Sequence, residues 1–156
     1  MLGKNMVDRL QALFASKRGG GDNGSHEPLA FSAAALMLYA AQLDGSIDDA
    51  EYRTVADLLE TRFGLGPTEA KDLIASAGAR AEAATDLYSL TRLIKDGFSA
   101  EQRTGIIEML WEVVYSDGHV DPYESNLVRR IAGLLYVSDV ESGAARKRVV
   151  GGLADR

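Results

Sequence analysis

The sequence predicts an all-α protein, a single helical bundle of about seven helices preceded by a short N-terminal amphipathic helix. Ala, Leu, Glu and Arg dominate the chain after residue 28, and no stretch alternates apolar and polar residues as a half-buried strand does. All three prolines lie where a helix is expected to begin, the position at which a missing amide donor costs least. With 156 residues, of which 46% are apolar, the chain is long enough for one domain with its own core.

The N-terminal region differs in composition from the rest of the chain. Residues 1–17 contain an amphipathic helix, predicted over residues 4–16, whose apolar side chains recur at helical spacing. Residues 18–27, RGGGDNGSHE, predict a flexible Gly-rich linker, because glycine and small polar residues bury too little area to offset the entropy of ordering. The helical domain is placed at residues 28–151. We expect this N-terminal helix to dock on the domain or on a subunit. The alternative is an anchor that binds a partner or makes weak contact with a membrane surface through residues 4–18.

Within the domain, helical periodicity and turn signals predict seven helices with short connections. They are residues 29–43, 49–63, 67–77, 84–95, 99–116, 121–136 and 139–150. The third helix is expected to end before Gly78, because glycine is a poor helix former.

Composition excludes several classes of chemistry. The chain has no cysteine and only two histidines, so disulfides, thiolate nucleophiles and multi-histidine metal sites are excluded. The net charge is −6, and residues 28–140 alone hold eighteen acidic and nine basic side chains. Such an acidic body repels phosphate backbones, so no nucleic-acid partner is expected. No apolar run suits a transmembrane helix or a signal peptide, and a cytoplasmic location is therefore the expectation.

An internal duplication is the strongest pattern in the sequence. Residues 44–51 read DGSIDDAE and residues 117–124 read DGHVDPYE, so both copies match D-G-x-Φ-D-x-x-E, where Φ is aliphatic. An apolar helix is predicted before each copy, and a second helix after it. Two such helix–turn–helix units in one domain imply a bundle built from two hairpins related by a pseudo-twofold axis. We call these two segments the first and second D-G turns.

A purely structural interpretation accounts for both turns. Gly45 and Gly118 can adopt the left-handed conformation that ends a helix, while Ile47 and Val120 would bury beneath the turn. The last four residues of each copy predict a capping box, in which the aspartate and the glutamate each accept the other's backbone amide proton. The pairs are Asp48 with Glu51 and Asp121 with Glu124, and Pro122 follows at the first helical position.

The second interpretation is a divalent-cation site. Each copy matches the second half of an EF-hand loop, but the positions that begin such a loop hold Ala and Gln in one copy and Val and Tyr in the other. Three carboxylates and a carbonyl are too few for tight binding, so a weak site for calcium, magnesium or manganese is expected, with Glu108 and Glu112 as further candidate ligands. The candidate metal ligands are Asp44, Asp48, Glu51, Asp117, Asp121 and Glu124.

Residues 30–150 resemble the tellurite-resistance TerB family and TerB-like domains. The resemblance rests on the duplicated apolar helix followed by D-G-x-Φ-D-x-x-E, and VVYSDGHVDPYESNLVRRIAGLL is its most diagnostic segment. It implies an all-α fold with two related halves, and it implies that the acidic residues of the D-G turns bind divalent cations. It also implies a place in bacterial stress or metalloid-resistance assemblies. The extension at residues 1–27 departs from the family's pattern.

These observations together predict a non-enzymatic binding module with a protein partner. The sequence contains no nucleophile–base pair or cofactor motif, and a metal-dependent hydrolase is the enzymatic alternative. The other alternative is a cation-independent scaffold whose acidic surface docks a basic partner. Trp111 is expected in the core, His119 in solvent at the second turn, and Arg146, Lys147 and Arg148 on a solvated basic face.

Overall fold

The computed structural model describes residues 23–42, 47–83, 87–118 and 120–154, and these ranges form seven α-helices and contain no strand. The helices are α1 (Asn23–Ala41), α2 (Asp49–Phe63), α3 (Pro67–Ala83), α4 (Leu87–Gly97), α5 (Ala100–Val114), α6 (Pro122–Leu134) and α7 (Asp139–Ala154). The predicted all-α bundle is therefore confirmed. The helix predicted at residues 4–16 lies outside the described residues. In the ranges described, no helix has the length and hydropathy of a membrane span.

Helix α1 lies at the centre of the bundle. From Leu29 to Ala41 every side chain is buried except those of Phe31 and Tyr39, which are partly buried against the core. A helix that is apolar on all faces must be covered on all sides. Helices α2, α3, α4, α5 and α6 all pack against α1 and provide that cover.

The most extensive packing of α1 is against α3, and small residues make it possible. Ala70, Ala77 and Ala81 of α3 are buried, and Gly78 lies close enough to α1 that a Cβ built there would be 3.9 Å from Cδ1 of Leu38. Helix α3 continues through Gly78 to Ala83, so the prediction that it ends before this glycine was wrong. Packing against α1 outweighs the roughly 1 kcal/mol that glycine costs within a helix.

Helix α1 also begins earlier than predicted, at Asn23 rather than at residue 29. Residues 23–27 are therefore helical, although their composition had placed them in the linker. Once residues 29–41 are held by the core, each added turn fixes few dihedral angles per hydrogen bond, so the helix propagates toward its N-terminus at low cost. The bounds of α2 and of α4 to α7 agree with the predictions to within about one turn.

The two predicted hairpins correspond to α1 with α2 and to α5 with α6. In each pair the helices pack together, and α5 also contacts both α1 and α2. The buried side chains Leu59 of α2, Ile106 and Trp111 of α5, and Ile131 of α6 all belong to one hydrophobic core. The duplicated sequence therefore contributes two hairpins to a single core.

Two glycine-to-alanine substitutions should change stability in opposite directions. Gly78→Ala adds an ordinary van der Waals contact with Leu38 inside a helix, and we expect it to raise the free energy of unfolding by about 0.5–1 kcal/mol. Gly118→Ala places a side chain at φ +94°, and we expect a loss of about 1–2 kcal/mol. Urea denaturation of the two variants measures both changes. A loss of stability in Gly78→Ala would contradict the packing of α3 against α1.

Candidate functional site

The second D-G turn reverses the chain between α5 and α6. The carbonyl of Tyr115 accepts the amide proton of Gly118 at 2.8 Å, and the carbonyl of Val113 accepts that of Ser116 at 3.2 Å. Gly118 has φ +94°, which confirms the predicted positive φ at this glycine. His119 lies outside the described residues, and so do Asp44 and Gly45 of the first turn.

The predicted capping box at the start of α6 is present. Oδ1 of Asp121 accepts the amide proton of Glu124 at 2.9 Å, and Oε1 of Glu124 accepts that of Asp121 at 3.4 Å. Pro122 occupies the first turn of the helix, and Val120 is partly buried against the core, as predicted. The box therefore fixes two of the three candidate ligands of this turn relative to the backbone.

The first D-G turn has the same local structure where it is described. Glu51 donates its amide proton to Oδ1 of Asp48 at 2.8 Å, and Asp48 donates its own to Oε1 of Glu51 at 3.0 Å. Glu51 is buried, and Ile47 is partly buried against the core. The structure thus brings Asp48 and Glu51 together, whereas the predicted third ligand, Asp44, lies outside the described residues.

Two further capping boxes in the chain show that a cap does not need two carboxylates. Ser99 and Gln102 form the box of α5, and Ser138 exchanges equivalent hydrogen bonds with Glu141 at the start of α7. Only the D-G turns, among the helix starts described, combine an aspartate with a glutamate. At these two positions the sequence adds negative charge that capping itself does not require.

The pKa of Glu124 responds to its burial and to the neighbouring carboxylates. The pKa of Glu124 is raised to about 7, chiefly by burial. The charges of Asp121 and Asp117 and a hydrogen bond with the Asp121 side chain act in the same direction, and the backbone hydrogen bond of the capping box opposes them. At the capping box of α7 the pKa shift has the opposite direction, because hydrogen bonds from Ser138 hold the pKa of Glu141 below its usual value. We call Asp117, Asp121 and Glu124, whose charges interact, the carboxylate group of the second turn.

This carboxylate group supplies only hard oxygen ligands, the type that calcium, magnesium and manganese prefer. Within the described ranges, no three acidic or histidine side chains are assembled as a metal-binding group. A cation at the second turn would therefore have to draw the carboxylates into place. Such a donor set fits a weak and exchangeable hard cation.

Glu108 and Glu112, offered above as supplementary ligands, take part in ion pairs elsewhere. Arg62 lies 3.9 Å from Oε2 of Glu108 and 3.7 Å from Oε1 of Glu112, and Nε of Arg148 also donates to Glu108. Arg62 and Glu108 are both buried, so these pairs tie α2, α5 and α7 together inside the bundle. The two glutamates therefore have a structural role in the described conformation.

The structure also corrects the expectation for Arg146, which is not part of a solvated basic face. Its side chain is half-buried against the rings of Trp111 and Tyr115. The sequence signal that could have identified it is helical spacing, since Ser142, Ala145 and Val149 form the buried face of α7 and Arg146 lies beside that face. Lys147 is exposed, as expected.

The pKa of Glu124 predicts a pH-dependent stability. The folded protein keeps a proton on Glu124 that the unfolded chain has lost, so the free energy of unfolding should fall as the pH rises from about 4.5 to about 7. Glu124→Gln should reduce this fall and keep the cap, because Gln102 already forms such a box in α5. Urea denaturation in chelator at pH 5 and pH 8 measures the difference.

Glu141→Gln is the matched control, because it removes a capping glutamate whose pKa is lowered. That control should keep the fall in stability between pH 5 and pH 8. If Glu124→Gln shows the same fall as the parent chain, the raised pKa of Glu124 is contradicted.

Comparison with known proteins agrees with this description of the fold and turns. The family model described as tellurite resistance protein TerB matches residues 30–147, which is most of the chain. No curated protein and no solved structure is significantly similar to the chain. The matched range contains both D-G turns, all four described capping boxes and the core around α1. The chain therefore belongs to the TerB family.

Proposed function

We propose that this TerB domain is a non-enzymatic binding module whose second D-G turn binds a divalent cation weakly through Asp117, Asp121 and Glu124. The observation that carries the proposal is the contrast between two capping glutamates of the same chain. Serine at the cap leaves Glu141 with a lowered pKa, whereas burial together with the neighbouring carboxylates Asp121 and Asp117 raises the pKa of Glu124 to about 7. The second turn is therefore a place where added positive charge is favourable.

A proton and a divalent cation relieve the same repulsion. Near pH 7 a proton on Glu124 reduces the charge that three carboxylates place on one turn. The capping box uses Oδ1 of Asp121 and Oε1 of Glu124, so we assign Oδ2 and Oε2, together with the Asp117 carboxylate, as cation ligands. Binding would then displace the proton from Glu124.

The affinity should be low, because three carboxylates do not fill the six to eight positions around calcium. We therefore expect a dissociation constant on the order of 10⁻⁴–10⁻³ M, the range of the weakest natural calcium sites. Occupancy would tie Asp117, which follows α5, to the first turn of α6. The cation would thereby stiffen the connection between two helices of the bundle and make a partner surface there responsive to ion concentration.

The duplication supports a second site of the same kind. Asp44, Asp48 and Glu51 occupy the same positions in the first D-G turn, and the box of Asp48 with Glu51 has the same hydrogen bonds as that of Asp121 with Glu124. We therefore propose that the first turn binds a divalent cation by the same means. With one site after α1 and one after α5, cation binding would affect both hairpins of the bundle.

The biological setting that family membership supports is tellurite resistance or a related stress response. We propose that the domain acts there in the cytoplasm, through a protein partner and without a catalytic step. Contact of residues 4–18 with a membrane surface stays a prediction from the sequence.

A cation-independent scaffold is the alternative, and the charge of the domain favours it. Residues 28–140 hold twice as many acidic as basic side chains, which suits a basic partner surface. The two proposed functions differ in how partner binding responds to a chelator and to salt. Partner capture that survives a chelator and weakens with salt supports the scaffold, whereas capture that a chelator abolishes supports the cation-responsive module.

Thermal unfolding tests the proposed site directly. After chelation, calcium, magnesium and manganese are added one at a time to the full chain at pH 8, where Glu124 has lost its proton. At ten times Kd the native state gains about 1.4 kcal/mol, so Tm should rise by about 3–6 °C with at least one ion. The rise should be smaller at pH 6, because the proton competes with the ion.

Variants in which the helix caps are preserved distinguish binding at the site from general effects of salt. Asp117→Asn combined with Glu124→Gln should lose the ion-dependent rise that the second turn contributes, and adding Asp48→Asn with Glu51→Gln should abolish what remains. Glu141→Gln, which alters a capping glutamate away from both turns, should keep the full rise. An equal rise in all variants, or none in the parent chain with any ion, would show that the D-G turns act only as caps.

A further inference from the structure

The half-buried guanidinium of Arg146 on α7 is held in a fixed position by neutral groups. Its Nε donates to the hydroxyl of Tyr115 at 2.8 Å, and its Nη1 donates to the hydroxyl of Ser125 at 3.3 Å. The guanidinium carbon lies 4.8 Å from the ring centre of Trp111 and 5.6 Å from that of Tyr115, within the range of cation–π contacts. Contacts from α5 and α6 thus orient the guanidinium of this α7 residue.

Arg146 has no acidic counter-ion in the part of the chain that the structure describes. In that part of the chain the ion pairs made by arginine are those of Arg62 with Glu108 and Glu112 and that of Arg148 with Glu108. The hydrogen-bond partners of Arg146 are both hydroxyls, and neither balances its charge. A guanidinium has five N–H donors, so Nη2 stays available for an anionic acceptor.

A cavity of about 300 Å³ opens beside this guanidinium. Its walls are formed by Trp111, Arg129, Asp139, Ser142, Gly143 and Arg146. Two arginines and one aspartate give the lining a net positive charge, in contrast to the acidic domain as a whole. The wall is also rigid, because Ser142 is buried and its hydroxyl accepts the indole N–H of Trp111 at 3.2 Å.

We infer that this cavity binds the side-chain carboxylate of an aspartate or glutamate from a partner protein. An oriented guanidinium matches a carboxylate in geometry and charge, and Arg129 adds a second cation at the exposed rim. Asp139 in the lining disfavours a doubly charged phosphate and leaves a singly charged carboxylate as the better match. The volume of about 300 Å³ lies at the lower end of small-ligand pockets, so it admits one acidic side chain and is too small for a large cofactor.

This cavity shares no residue with the cation site of the proposed function, but it is adjacent to it, because Arg146 donates to Ser125, which follows Glu124. None of the cavity-lining residues belongs to a D-G turn, and the α7 side of the cavity lies at the beginning of that helix. The domain would then hold a partner through an acidic anchor in this cavity.

The intrinsic fluorescence of the full chain tests the inference, because Trp111 is its single tryptophan and lines the cavity. The probe is N-acetyl-glutamic acid amide, and its neutral isostere, N-acetyl-glutamine amide, is the matched control, both titrated at constant ionic strength and pH 7. We expect a saturable change in emission with the acid and none with the amide. Inorganic phosphate forms a third titration, and its binding should be weaker.

Three variants locate the response. Arg146→Gln should abolish the saturable change, and Arg129→Gln, whose side chain is exposed, should weaken the apparent affinity by about threefold or more. Lys147→Gln removes an exposed cation that does not line the cavity and should leave the titration unchanged. The absence of a saturable change in the parent chain overturns the inference. An equal response in Arg129→Gln, an equal response to the neutral amide or tighter binding of phosphate also overturns it.

Discussion

The burial of α1 is the constraint on which the rest of this structure depends. A helix with no polar face is stable in water only when other helices cover it, and five helices pack around α1. To cover it, the chain must reverse direction sharply at the ends of its apolar helices. In the sequence the first D-G turn follows α1 and the second follows α5. The position of both candidate sites thus follows from the need to enclose one apolar helix.

Tight turns also explain why the carboxylates affect one another. A capping box places the side chains of the first and fourth residues side by side, and a third carboxylate lies one tight turn upstream. Serine at the cap of α7 accomplishes the same capping and leaves its glutamate with a lowered pKa. The chain thus caps some helices with serine and others with aspartate. Because serine is sufficient for capping, the aspartate–glutamate pair at each D-G turn is not explained by capping alone. Repulsion between like charges there is the physical basis of the proposed cation site.

Much of the architecture could be predicted from local patterns, and the failures share a physical cause. Proline positions, the caps at Asp48 and Asp121 and the duplicated turn predicted the order of the helices, because these signals act over a few residues. Gly78 was misjudged because its tolerance in α3 depends on packing against Leu38, which is distant in sequence. Arg146 was misjudged likewise, since its partners lie on two other helices. The raised pKa of Glu124 depends on burial, which local sequence does not reveal.

The central claim is that the second D-G turn crowds carboxylates whose repulsion a divalent cation relieves. Carbon-13 NMR of the side-chain carboxyl of Glu124 measures this most directly, by titration with pH in chelator and again with a saturating concentration of the ion. The account predicts a midpoint near 7 in chelator and a clearly lower midpoint with the ion, because the cation favours the charged carboxylate. A midpoint near 4.5 in chelator, or a midpoint that the ion does not move, would contradict it.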